Sequence, residues 1–185
     1  MIYFTADLHL DHKNILLSRQ GFSSIEEMNE RLISNWQGVV SKEDTVYIIG
    51  DFSYRSPVSV KQYLKQLPGR KILIRGNHDF KWLKTFSEEE KDHYFEGIYD
   101  IHQIKMDKKV ISLCHYPMVA YCGSNYENSW LICAHTHDSK TADHWYDIKR
   151  NYNLIRFLNA GVDINNFKPV TFEELVENNK RFYGI

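Results

Sequence analysis

Five short apolar segments of this chain each end in residues that commonly bind metal ions. The segments are rich in β-branched side chains and are bounded by turn residues, a pattern typical of buried β-strands. Because ligands of open α/β sheets lie outside the carboxyl ends of the strands, these endings can converge on one crevice. The endings are, in chain order, Asp7-Leu8-His9, Gly50-Asp51, Gly76-Asn77-His78-Asp79, Cys114-His115 and Ala134-His135-Thr136-His137.

The first half of the chain alternates predicted strands with predicted helices. A helix is expected from Ser24 to about Val40, because Ser24 and Glu27 form a capping-box pattern ahead of apolar residues at helical spacing. Another helix should follow Ser56-Pro57, with Ser56 as its N-cap and Pro57 at the first helical position. Strand, helix, strand, helix and strand in this order predict parallel pairing with right-handed crossovers.

In the second half, from about Ile98, the pattern indicates a β-hairpin and further strands. Segments 101–106 and 109–114 flank a two-residue turn, as in a hairpin. Strands are also expected at 130–134 and 154–159.

A final helix begins near Thr171, which forms a second capping-box pattern with Glu174. We therefore expect an α/β fold (α+β, four-layer) in which two facing mixed β-sheets are sandwiched between outer helices. The length fits a single domain over residues 1–185.

Composition and charge argue against several classes of protein. Hydrophobic residues make up 43% and charged residues 25%, which is ordinary for a soluble globular protein. The net charge of −1 lacks the basic footprint of a dedicated duplex-binding protein, although nucleic acid stays open as a partner. No apolar run approaches membrane-span length, and no signal peptide is expected. Three cysteines without a short-spaced pair argue against a disulfide framework and favour a cytoplasmic location. The oligomeric state is not indicated.

The strand-end residues supply the ligands that a two-metal hydrolytic site needs. Such a site takes oxygen and nitrogen ligands from several elements and one carboxylate that can bridge both ions. A donor set of imidazole, carboxylate and amide without thiolate suits Mn²⁺, Fe, Co²⁺, Ni²⁺ or Zn²⁺ better than a structural zinc site. Taken alone, each residue is better explained by a structural role; a lone Asp at a strand end, for example, is usually a turn residue or a helix cap. The candidate ligands are Asp7, His9, Asp51, Asn77, His115, His135 and His137.

The ordered set of motifs over residues 7–137 resembles the calcineurin-like metallophosphoesterases. The segments Phe4-Thr5-Ala6-Asp7-Leu8-His9 and Asn159-Ala160-Gly161-Val162-Asp163 are similar to a small bacterial and phage branch of that family. The resemblance implies hydrolysis of a phosphate ester by metal-activated hydroxide, with two divalent transition-metal ions and Mn²⁺ favoured. It implies Asp7, His9 and His137 at the first metal, Asn77, His115 and His135 at the second, and Asp51 as the bridge.

The resemblance also implies roles for residues near the substrate. His78 would protonate the leaving oxygen, and Asp79 would orient the His78 ring through a carboxylate–imidazole hydrogen bond. The alternatives are a brace for His78 and a helix cap for Asp79. His12 and Arg55 are candidate substrate-binding residues, since they follow the first two motifs and a guanidinium matches phosphate geometry. Solvent-facing positions would explain both equally well.

The substrate and the remaining polar and aromatic residues leave alternatives open. An open crevice without a cap domain favours a phosphodiester or a small nucleotide, and a phosphomonoester or phosphoprotein is the main alternative. A metal-bearing scaffold without turnover is a further alternative, because the fold of this family serves that way in the retromer coat. Asn159 and Asp163 could shape the floor of the site or only form a turn. Four aromatic side chains could stack on a nucleobase or only pack their loop: Tyr116, Tyr121, Tyr126 and Trp130.

Overall fold

The computed structural model describes residues 1–54, 59–140, 144–152 and 154–185, which form two four-stranded sheets. The first sheet contains β1 (Ile2–Thr5), β2 (Thr45–Ile49), β3 (Arg70–Ile74) and β4 (Gly97–Tyr99), in that spatial order. The second contains β5 (Ile101–Met106), β6 (Lys109–Cys114), β7 (Ser129–Cys133) and β8 (Phe157–Asn159), also in order.

Six α-helices connect or flank these strands in the described residues. They are α1 (Ile25–Val39), α2 (Val60–Gln66), α3 (Asp79–Leu83), α4 (Glu88–Tyr94), α5 (Trp145–Asn151) and α6 (Phe172–Tyr183). In the same part of the chain, short 3₁₀ helices lie at Lys13–Leu17 and Val162–Ile164. No helix among the described residues is long and apolar enough to cross a membrane.

The predicted fold class is confirmed, but only the second sheet is mixed. All three neighbouring pairs of the first sheet are parallel, because each pair is joined by a crossover that contains at least one helix. In the second sheet β5 and β6 form the predicted antiparallel hairpin, and the other pairs are parallel.

Three apolar clusters explain the layering of sheets and helices. One lies on the outer face of the first sheet, where Met28, Leu32 and Trp36 of α1 pack against the strands. The second lies between the two sheets and joins residues of both, such as Ile74 and Leu113. The third covers the outer face of the second sheet with α5 and the long β6–β7 connection. Each sheet is therefore buried on both faces, as its nearly continuous apolar strands require.

The capping signals in the sequence correspond to real helix starts. The Ser24 side chain accepts a hydrogen bond from the Glu27 N–H at the start of α1. At α6 both halves of the capping box between Thr171 and Glu174 are present. The predicted N-cap Ser56 and its neighbour Pro57 lie outside the described residues.

Short elements depart most from the sequence prediction. The strand expected at 154–159 is shortened to β8, and the patterns do not predict β4, α3, α4 or α5. These elements have three to seven residues, which is too few for a clear apolar periodicity.

The start of α6 provides a test of the capping analysis. Thr171→Ala should lower the free energy of unfolding by about 0.5–2 kcal/mol, because the N–H of Glu174 loses its side-chain acceptor. Urea unfolding followed by circular dichroism measures the change. Thr171→Ser keeps the hydroxyl and should stay close to the wild type. An equal loss in both variants would assign the effect to the threonine methyl group and contradict the capping explanation.

Candidate metal centre

The candidate ligands come together where the carboxyl ends of β1, β2, β3, β6 and β7 meet. Beyond the strands, the chain after β1 continues to pair with the chain after β2, since Asp7 N–H donates to Gly50 O and His9 N–H donates to Asp51 O. The two sheets touch at the same place through a bridge between Ala6 and Gly161. The site therefore lies across the seam between the sheets.

Two groups of side chains point their ligand atoms at two neighbouring positions. The first group is Asp7, His9 and His137, and the second is Asp51, His115 and His135. Within each group the ligand atoms lie within 4.8 Å of one another. In the first group the Nε2 atoms of His9 and His137 are 3.2 Å apart. Beside the second, the Asn77 side-chain oxygen lies 3.2 Å from His115 Nε2.

One carboxylate oxygen of Asp51 lies between the two groups. Its Oδ2 is 3.6 Å from His9 Nε2 and 3.5 Å from His115 Nε2. The same oxygen is 3.8 Å from His78 Nε2, and His9, Asp51 and His78 form a third overlapping group. Burial alone would raise the pKa of Asp51, but attraction from the His115 and His9 rings holds it well below its usual range. Asp51 therefore presents an ionised oxygen to both groups.

Asp7 provides a test of whether a cation fits the first group. Its side chain is completely buried, and burial raises its pKa above the usual value. Oδ2 accepts from the His135 N–H, whereas Oδ1 has no hydrogen-bond partner among the described residues. A buried carboxylate oxygen without a partner is costly unless a bound ion or water completes it. The donor set and this oxygen fit a metal ion.

Each of three imidazoles is held at its Nδ1 atom, which leaves Nε2 facing the centre. His115 Nδ1–H donates to the Ile49 carbonyl at 2.9 Å, and His137 Nδ1 lies 2.9 Å from Asp163 Oδ2. His9 Nδ1 lies 3.3 Å from His12 Nδ1. Such contacts fix the ring orientation and tautomer of metal-binding histidines.

The backbone at the centre is left-handed at five candidate ligands. Asp7, His9, Asp51, His135 and His137 have φ between 51° and 72°. This conformation costs on the order of 1 kcal/mol or more for each residue that is not glycine, although Asp and His tolerate it better than most. In this conformation both candidate ligands of Asp7-Leu8-His9, and both of His135-Thr136-His137, face the centre. Strain of this kind is typical of functional sites.

Asp79 does not make the predicted hydrogen bond to the His78 ring. Its carboxylate accepts hydrogen bonds from the N–H groups of Asp51, Phe52 and Gly76 and from the Trp82 indole, not from the His78 ring. Burial raises the pKa of Asp79 to about 6, although the backbone donors oppose that rise. Asp79 begins α3 and faces back into the sheet, away from the crevice. It therefore shapes the backbone beneath the ligands.

His78, His12 and Tyr54 form a cluster of rings at the edge of the centre. The Tyr54 ring centroid lies 4.4 Å from both imidazole centroids. Burial lowers the pKa of both His78 and His12 below the usual value. His78 keeps 28% of its side chain exposed, so it is open to solvent on one side. Arg55, the other candidate for substrate contact, lies outside the described residues.

Other candidates from the sequence are divided between the site and the packing around it. Asp163 contacts His137, and Asn159 donates from its side-chain amide to the His137 carbonyl. Tyr121 packs on Phe157 and Trp130 on Phe172, both edge to face.

Among the four aromatic candidates, Tyr116 and Tyr126 are exposed. Tyr116 packs its ring against both His115 and His135, beside the second group. Tyr126, on the β6–β7 connection, is 63% exposed, and its carbonyl accepts a hydrogen bond from the Arg156 side chain.

The sequence analysis did not identify Arg19, which is buried beneath the first group. It bonds to Asp163, a residue 144 positions away in the sequence. A lone arginine near a short polar helix carries no local signal of such a partner.

The cysteines do not favour thiol chemistry at this site. Cys114 and Cys133 are buried, and burial raises the pKa of Cys133 to about 12. A thiol with so high a pKa is a poor nucleophile at neutral pH. Cys122 is exposed and belongs to neither group of candidate ligands.

Comparison with known proteins agrees with the motifs and the fold. A sequence model of the calcineurin-like phosphoesterase family matches residues 1–173, and the chain belongs to that family. An uncharacterized protein of Methanocaldococcus jannaschii is 31% identical over 180 residues, which are 95% of this chain and 89% of that protein. The structure of a protein of unknown function from Aquifex aeolicus aligns with a TM-score of 0.69 at 30% identity, covering 96% of this chain and 98% of that one.

A third relative has a more specific name but a shorter match. The symmetrical bis(5'-nucleosyl)-tetraphosphatase of Buchnera aphidicola is 31% identical over 102 residues, which are 51% of this chain and 31% of that protein. The resemblance seen in the sequence is confirmed at the level of the family, and membership supports hydrolysis of a phosphate ester.

Gly76 gives a test of how closely the centre is packed. A methyl group there would lie 2.2 Å from Asp51 Oδ1 and 2.6 Å from Asp51 N. Gly76→Ala should therefore lower the free energy of unfolding by about 1–3 kcal/mol. Gly38→Ala is the matched control, because a methyl group at Gly38 on α1 meets nothing within 4 Å and favours the helix. Urea unfolding measures both. Equal stability of Gly76→Ala and the wild type would contradict the close packing.

Proposed function

We propose that this protein is a phosphoesterase with two divalent transition-metal ions, with Mn²⁺ favoured over Fe, Zn²⁺, Ni²⁺ or Co²⁺. The observation that carries the proposal is the position of Asp51 Oδ2, about equally far from the imidazoles of two separate groups. A carboxylate in that position suits a bridge between two ions. The first ion would be held by Asp7, His9 and His137, and the second by Asn77, His115 and His135. When bound, the ions would polarise phosphoryl oxygens and make hydroxide available at neutral pH.

Side chains of this protein would supply charge, proton donation and positioning at the centre. Asp51 and Asp7 would bring negative charge to the centre. That charge attracts cations and repels a phosphate group that is not bound through a cation. His78 would face the substrate and donate a proton to the leaving oxygen. The bound phosphate would raise the lowered pKa of His78, because a nearby negative charge favours the protonated ring. The Nδ1 contact of His12 with His9 favours a role in holding His9 over a role in binding substrate.

A phosphodiester or a small nucleotide is the substrate class that we favour. The relative from Buchnera aphidicola is named for its action on bis(5'-nucleosyl) tetraphosphates, and its similarity supports a nucleotide. The exposed ring of Tyr116 beside His115 and His135 offers a surface for a base or an aryl group. Phosphomonoesters, including phosphoproteins, are the main alternative substrates.

A metal-bearing scaffold without turnover is the alternative from another class. The presence of all seven candidate ligands and of His78 favours catalysis, because a scaffold needs no proton donor. We also propose that residues 1–185 act as one domain and that the protein works in the cytoplasm, where free cysteines stay reduced.

Metal dependence tests the proposal directly. The purified protein should bind up to two transition-metal ions, and a chelator should abolish hydrolysis of an aryl phosphodiester that Mn²⁺ then restores. Asp51→Asn should lose more metal than His9→Ala, because a bridge serves both ions whereas His9 serves one. Elemental analysis and turnover measure these effects. Wild-type metal content in Asp51→Asn would contradict the bridge, and bound metal without turnover on any phosphate ester would favour the scaffold.

The proton donor is tested by varying the leaving group. A positioned general acid contributes roughly 10²–10⁴-fold, but only when the departing oxygen needs a proton. His78→Ala should therefore lose little activity on an ester with an acidic phenol and much more on an alkyl or nucleoside ester. The ratio of the two kcat/KM values, together with metal content, measures the effect. An equal loss on both esters would indicate charge stabilisation or placement by His78, and loss of metal would contradict its assignment as a non-ligand.

A further inference from the structure

We propose that Arg19 is a positioning residue for the first metal position, where it acts through Asp163 on His137 and directly on the backbone of Asp7. The inference deepens the proposed function and rests on the assignment of Asp7, His9 and His137 as ligands. Arg19 follows the 3₁₀ helix at Lys13–Leu17, and its side chain is only 1% exposed.

The guanidinium of Arg19 has a hydrogen-bond acceptor for every N–H group. Nε and Nη2 bind the two carboxylate oxygens of Asp163, at 2.7 and 3.0 Å. Nη2 also donates to Asp7 O at 2.8 Å, and Nη1 donates to Leu8 O at 3.1 Å. The last N–H faces the sulfur of Met28 at 3.4 Å. Because every donor is used, these contacts fix the orientation of the guanidinium plane.

The contacts of Arg19 join two parts of the chain that supply ligands. Asp7 follows β1 in the first sheet, whereas Asp163 follows β8 in the second. Asp163 accepts the Arg19 bonds and also faces His137 Nδ1 at 2.9 Å, so one carboxylate serves both partners. Arg19 therefore sets the distance between the Asp7 backbone and the His137 ring.

The charge of Arg19 also matters, because Asp163 is nearly buried with 5% of its side chain exposed. A buried carboxylate without a cation would be neutralised or would turn toward water. Arg19 supplies that cation, because its guanidinium binds both oxygens of Asp163 while Oδ2 also faces His137 Nδ1. The Asp163 carboxylate then accepts a hydrogen bond from the Nδ1–H group of His137, which leaves Nε2 of the same ring available as a ligand atom.

The second metal position is held by different contacts from those of Arg19. His115 Nδ1 donates to the backbone carbonyl of Ile49, whereas the five hydrogen bonds of Arg19 go to Asp163, Asp7 O, Leu8 O and Met28. Loss of Arg19 should therefore weaken one metal position selectively. A purely structural arginine would instead reduce stability and weaken both positions together.

Metal-binding titration of folded variants tests the inference. Wild type should show two binding events for Mn²⁺. In Arg19→Met one event should weaken by about 10–100-fold, the usual effect of losing a partner that orients a ligand, while the other stays unchanged. Arg19→Lys should not restore it, because one ammonium cannot bind both Asp163 oxygens and two carbonyls. Leu64→Ala, a buried change in α2, is the matched control for lost stability and should keep both affinities.

Asp163 variants show whether Arg19 acts through that carboxylate. Asp163→Asn should weaken the same binding event, and Arg19→Met in the Asp163→Asn background should add little further loss. Each single variant leaves one buried charge without its partner, which can unfold the protein. The double variant removes both charges, so we expect it to stay folded even in that case. Full additivity of the two losses would contradict action through Asp163.

A measurement without metal separates this inference from the proposed function. In ¹⁵N NMR of metal-free protein, His137 should show a protonated Nδ1 in the wild type and a changed tautomer distribution in Arg19→Met. If the wild type binds no metal, the proposed function fails while this result still decides the role of Arg19. Two unchanged affinities in Arg19→Met, an equal loss in Leu64→Ala, or an unchanged His137 spectrum would each overturn the inference.

Discussion

The carboxylate of Asp79 is the contact on which the geometry of the metal centre depends. It is fully buried and binds the N–H groups of Asp51, Phe52 and Gly76, so it joins the ends of β2 and β3 where the parallel ladder stops. In the turn between Gly76 and Asp79, the His78 N–H donates to Asp51 Oδ1. Without Asp79, three backbone donors near the centre would lose their acceptor, which is costly for groups in the interior. The placement of the bridging candidate therefore follows from a side chain that faces away from the crevice.

The centre stores strain that the rest of the fold must offset. Five candidate ligands have left-handed backbone, and the Nε2 atoms of His9 and His137 approach to 3.2 Å. A site of this kind costs on the order of several kcal/mol in backbone strain alone. The apolar layer between the sheets and the cluster that includes α1 supply the opposing stability, since both consist mainly of buried aliphatic and aromatic side chains. The candidate ligand atoms of each group already lie within 4.8 Å of one another, a spacing that suits a bound cation.

Most of the centre and much of the fold are readable from local patterns. The strand ends, the Asp-x-His and His-x-His spacings and the caps at Ser24 and Thr171 depend on residues within four positions of one another. Side-chain direction and capping are settled at that range. The short elements β4, α3, α4 and α5 are exceptions, because they are held by tertiary packing and have little periodicity of their own.

The sequence by itself determined the strand ends that carry the site, the identity of the candidate ligands and the family to which the chain belongs. Only the tertiary structure decided what each polar side chain faces: Asp79 binds backbone and not His78, and Asp163 binds Arg19 and His137. Partners of this kind are far apart in the chain, 144 residues for Arg19 and Asp163. No local spacing encodes their meeting, because it results from the closure of two sheets around a common core.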